Sequence, residues 1–68
     1  MRISARNVLP GKVLEVKRGA TTSHVRIDIG GSVVTASITN EAVDDLALKP
    51  GDKASAIVKA SDVMVGKD

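Results

Sequence analysis

The stretch Val25-Arg26-Ile27-Asp28-Ile29-Gly30-Gly31-Ser32-Val33-Val34-Thr35-Ala36-Ser37-Ile38 decides the fold. Its first five residues alternate apolar with charged, which is the period of a strand with one face on a core and the other on water or a partner. Two glycines then lead into a second β-branched run. Because both glycines can adopt positive φ, the pair predicts a tight hairpin, and the flanking runs are expected to be antiparallel neighbours.

The same period continues outward. Upstream, Gly11 to Arg18 carries Leu14 and Val16 in alternation with Glu15 and Lys17, predicting a first strand, with Gly19-Ala20-Thr21-Thr22-Ser23 as the turn that follows. Downstream, Thr39 or Asn40 is suited to cap a helix, and Glu41, Asp44 and Asp45 fall in its first turns, where the helix dipole favours acids. Val43 and Leu46 sit three apart on one face, so the spacing predicts a short helix over 39–46. Lys49-Pro50-Gly51-Asp52 then reads as a turn, Ala54 to Lys59 as a fourth strand and Asp62 to Val65 as a fifth. Three strands, one helix and two strands make an all-β chain with the order of an OB-like five-stranded Greek-key barrel, its one short helix lying between strands 3 and 4. An SH3-like barrel has a similar strand count but no helix of this length there.

Sixty-eight residues form one domain, and a chain this short buries only about 60% of the surface that its unfolded form exposes. It has no Cys to staple the fold and no Phe, Tyr or Trp to enlarge the core. Among the usual remedies for a small scaffold this leaves association, and a homo-oligomer is expected. Absence of Cys fits a cytoplasmic location. No apolar run has the length of a signal peptide or a membrane span, so a soluble protein with no membrane partner is expected. The sequence pI of about 9.3 overstates the charge, since the net charge is only +2 and almost nothing titrates between neutrality and pH 9. Acids are interspersed with the bases, and no aromatic side chain is available to stack on bases, so nucleic acid is not expected as a partner.

Catalytic equipment is sparse. His24 is the only histidine, out of step with the apolar face of its strand, and one His without Cys makes no direct metal site. Asp44 and Asp45 are adjacent on a helix and diverge. The chain reads as a non-enzyme. What it does hold is a set of hydrogen-bond donors: Ser4 with Arg6, Lys59 with Ser61, and Thr39 with the backbone N–H groups of Asn40 to Ala42 at a helix start. A tetrahedral oxyanion has only acceptor oxygens, and two cations with hydroxyls and N–H groups suit it.

Ile3-Ser4-Ala5-Arg6-Asn7, a Gly-Lys-Val strand soon after, Ile38-Thr39 leading into a helix with Ala42, Val43 and Leu46, and the closing Ala56-Ile57-Val58-Lys59-Ala60-Ser61-Asp62-Val63-Met64-Val65 together resemble the molbindin family, the stand-alone Mop domain, over essentially the whole chain. The resemblance implies an OB-like fold, a homohexamer built as a trimer of dimers, and molybdate or tungstate bound between subunits, with no organic cofactor. Residue by residue it implies Ser4, Arg6 and Lys59 at the main site, with Thr39 and the backbone of Ala42 from a neighbouring subunit; Ser61 joins them from its own chemistry. A second kind of site is implied around Gly19, Ala20, Thr21 and Thr22. Two departures stand out: the position of Ala42 is often a serine in relatives, and Glu41, Asp44 and Asp45 weaken anion binding unless they point away. The implied role is intracellular molybdate storage, and the alternative is an OB-like module that docks onto a transporter, a regulator or a cofactor-synthesis protein.

Overall fold

The computed structural model of the protein describes residues 2–68. Four strands and one helix follow in the order β1 (Asn7–Arg18), β2 (Thr22–Asp28), β3 (Val33–Thr39), α1 (Asn40–Leu46) and β4 (Lys53–Val58), with a single 3-10 turn at Ala60–Asp62. The strands form one antiparallel sheet of order β3-β2-β1-β4, which curls as an OB-like fold with α1 placed between β3 and β4. The hairpin at the two glycines is present: Asp28 pairs with Val33, and Gly30 and Gly31 have φ of 92° and 99°, a region that L side chains avoid.

Strand β1 is the spine of the sheet. Its first half pairs with β4, from Asn7 opposite Val58 to Lys12 opposite Lys53, and its second half with β2, from Lys12 opposite Asp28 to Arg18 opposite Ser23. The register shifts between Val13 and Glu15, so Leu14 is a bulge residue. This corrects the sequence reading at two points. The strand begins at Asn7 rather than Gly11, carrying Pro10 at a position where a proline and a ladder coexist. Leu14, expected on the core face with Val16, is instead 43% exposed; the bulge turns both Leu14 and Glu15 outward and leaves Val13 and Val16 facing in. At Gly11 the sheet is so close that an added Cβ would lie 2.2 Å from the carbonyl oxygen of Asp28, which only glycine allows.

The core is small, as expected: Val13, Val25, Ile27, Val43 and Ala56 are buried, with Leu9, Val16, Ile29, Val34, Ile38, Leu48 and Ala54 packed around them. Val43 is the residue by which α1 joins this core. Thr39 caps the helix, its hydroxyl accepting the N–H of Ala42 at 3.0 Å, and Ala47 ends it in the left-handed region with φ of 50°.

The fifth strand is the principal correction. Among the described residues Asp62 to Val65 pair with no strand; Asp62 and Val63 donate their N–H groups back to Lys59 and Ala60 in the turn, and the chain beyond is exposed through Asp68. The β-branched residues that predicted a strand are there, but among the described residues of the chain no neighbouring strand meets them.

Candidate functional site

The candidate donors fall at the two ends of β1. At the first end, Asn7 opposes Val58 and its side-chain amide donates to the carbonyl of Val58 at 3.1 Å. The next residues outward are Arg6 and Lys59, so the end of the ladder sets these two cations beside each other, while Ser4 and Ser61 lie two residues further along their segments, past the ladder. All four are exposed, and among the described residues neither Arg6 nor Lys59 takes part in an ion pair. Ser4 to Arg6 precede the strand, which begins at Asn7.

At the other end, Thr22 opposes Thr39, which brings the loop Gly19 to Thr22 against the start of α1. Asn40 holds this junction. Its backbone N–H donates to Thr21 O at 2.9 Å, and its side-chain amide donates to Gly19 O at 3.0 Å and Ala20 O at 3.4 Å. Its Oδ1 accepts the hydroxyl of Ser23, which is fully buried. Sequence reading used Asn40 only as a possible cap and passed over Ser23. The signal was present, because Ser23 shares the inward alternation of Val25 and Ile27, and a hydroxyl on a core face requires a partner.

Of the helix-start N–H groups, Asn40's is taken by Thr21 and Ala42's by the Thr39 hydroxyl. That hydroxyl accepts from Ala42 while keeping its own O–H proton free, so Thr39 can donate to an anion without releasing its cap. The acids are partly neutralised: Arg18 donates to both carboxylate oxygens of Asp44 at 2.9 and 3.4 Å, and Asp45 and Glu41 are exposed. Beside the loop lies an open depression of about 240 Å³ lined by Lys17, Arg18, Gly19, Thr22 and His24. His24 is exposed, opposite Lys17 and Ser37 on the sheet face away from the core.

The two ends do not meet. They lie at opposite ends of the twelve-residue strand β1, one beside its pairing with β4 and the other beyond its pairing with β2. Among the described residues no hydrogen bond or ion pair joins Arg6, Lys59, Ser4 or Ser61 to Thr39, Ala42 or the 19–22 loop.

Residues 3–65 match the family model for the TOBE domain. The chain belongs to the TOBE-domain family. Within it, this domain is 46% identical over 66 residues to molybdenum-pterin-binding protein 3 of Clostridium pasteurianum, covering 96% of this chain and 97% of that one. The same fold occurs in a molybdate-binding protein from Sporomusa ovata, with a TM-score of 0.94, 42% identity and coverage of 98% of this chain and 100% of the other. It occurs again in the cytoplasmic molybdate-binding protein ModG in a molybdate-bound form, with a TM-score of 0.89 and 45% identity, covering 94% of this domain and 46% of ModG. The molbindin resemblance seen in the sequence is thus shown over the full domain.

Proposed function

We propose that this TOBE domain is a non-catalytic binder of molybdate that serves storage in the cytoplasm, and that its main site forms between subunits of a homo-oligomer. The observation that carries the intersubunit site is the placement of the donors: two cations that form no ion pair among the described residues stand at one end of β1, and the helix-start hydroxyl stands at the other. A second copy that sets its Thr39 end against the Arg6 end of the first would complete a set of two charges and several hydroxyls for one tetrahedral dianion. Relatives with molybdenum and molybdate in their names, matched along the whole length, support the choice of ligand.

Calorimetric titration of the oligomer with molybdate, alongside sulfate and phosphate, tests this reading. Saturable heat with molybdate is expected, and Arg6→Ala or Lys59→Ala should each weaken it about 10–100-fold, the equivalent of one charge-assisted hydrogen bond at about 1.5–3 kcal/mol. Unchanged binding in both variants, with the oligomer intact, would remove Arg6 and Lys59 from the site. No heat with any anion would return the domain to the docking-module reading.

A further inference from the structure

We infer that Asn7 is the positioning residue of the oxyanion site: its side-chain amide fixes the separation of Arg6 and Lys59, and that separation selects molybdate over the smaller sulfate. The inference rests on the oxyanion reading and deepens it, by naming what sets the size of the site.

Three observations carry it. First, Asn7 stands where the alternation of β1 calls for an apolar side chain. Asn7, Leu9, Gly11 and Val13 are the half-buried and buried positions in the first half of the strand, while Val8, Pro10 and Lys12 between them are exposed. An amide turned inward gives up water and needs a partner in exchange. Second, the partner of Asn7 is the carbonyl of Val58, at 3.1 Å and 51 residues away in sequence. That oxygen belongs to the planar peptide unit that also holds the nitrogen of Lys59, so the amide of Asn7 fixes the plane from which Lys59 departs. Asn7 is itself bonded to Arg6, and one hydrogen bond therefore ties the residue beside one cation to the residue beside the other. Third, the two cations are anchored unequally. Lys59 is also held from beyond, its carbonyl accepting the N–H of Asp62 at 2.8 Å as it caps the 3-10 turn. Arg6 precedes β1, and Asn7 is the ladder residue to which it is joined.

Selectivity follows from this clamp. Like charges set side by side repel, and chain beyond the end of a ladder frays, so without the amide the two segments splay. A splayed pair closes equally well on a large or a small dianion. Molybdate and sulfate share charge and shape and differ in size, so only a pair held at one separation tells them apart. Rigid support behind the contacting side chains is what turns a pair of charges into a gauge of size.

The test uses two variants of the whole chain. Asn7→Leu keeps the size of the side chain on its inward face and removes the donor; Asn7→Ala removes both. Each is titrated calorimetrically with molybdate as the size-checked oligomer, and sulfate affinity is read from the excess that displaces half of the bound molybdate. Outer hydrogen bonds that orient charged ligands are worth about 10–100-fold in affinity at metal sites; the lower end is expected here, with molybdate about 10-fold weaker and sulfate changed by less than about 2-fold in both variants. The sulfate excess needed for displacement should fall by the same factor of about 10. A merely structural Asn7 would weaken both anions alike and leave that excess unchanged, and this result would overturn the inference, as would molybdate affinity equal to that of the unaltered chain. No saturable heat with the unaltered chain would instead withdraw the oxyanion reading, and the inference with it.

Discussion

Replacing Asn40 by Ala should be the most damaging single change to a partly exposed polar residue, and its size follows from who is left behind. Ser23 is fully buried, and its hydroxyl donates to Asn40 Oδ1. Removing that acceptor orphans a buried donor, at about 1–3 kcal/mol. The lost amide contacts to Gly19 O and Ala20 O cost less, because these exposed carbonyls can turn to water. A total of about 2–3 kcal/mol is expected, equivalent to a fall in Tm of roughly 10–20 °C for a domain of this size. The reverse change, Ser23→Ala, should cost under about 1 kcal/mol, since Asn40 is only half buried and water can replace the donor. The double variant S23A/N40A should then be more stable than N40A alone, because an orphan has been removed. Urea melts of the four proteins at one fixed concentration measure the cycle. A double variant as unstable as the sum of the singles would refute the reasoning and show that Asn40 acts through the loop carbonyls instead.

Gly11→Ala should prevent a normal sheet, since its Cβ meets backbone at 2.2 Å; loss of at least about 3 kcal/mol, or no folded protein, is expected by circular dichroism. Thr39→Ala removes the cap of α1 and should cost about 1 kcal/mol in the same melts, with Thr39→Ser retaining most of it. Arg18→Ala and Asp44→Ala should each cost less than about 1 kcal/mol, with a coupling between them that fades in high salt, because both partners of that ion pair are well exposed.

Local chemistry carried much of this fold in readable form. The alternation of 25–29, the glycine pair and the Thr39 cap are each set by neighbours in sequence, and each appears where expected. What alternation alone misses is a residue that belongs to neither face. Leu14 looks like a core residue until the register of β2 opposite it is known. The tail at 63–65 has the residues of a strand, but pairing is a property of two segments, and among the described residues no second segment meets it. The candidate site shows the same division. Arg6 and Lys59 share a neighbourhood because Asn7 and Val58 pair across 51 residues, which no local pattern announces. Ser23 and Asn40 were readable only as a polar residue on an inward face in want of a partner.

The bulge at Leu14 has a further consequence, for chain length. On β2, Ile27 and Arg26 are consecutive, and they oppose Val13 and Glu15. Deleting Leu14 would therefore leave every other residue of β1 on its present side and opposite its present partner, a shortening without a frameshift. What would be lost is the corner at which β1 passes from β4 to β2, and with it the added twist that a bulge supplies. The sheet would flatten, and its outer strands would draw apart. At this one position the count of residues sets curvature and nothing else, so a change in length there is read by the protein as a change in shape.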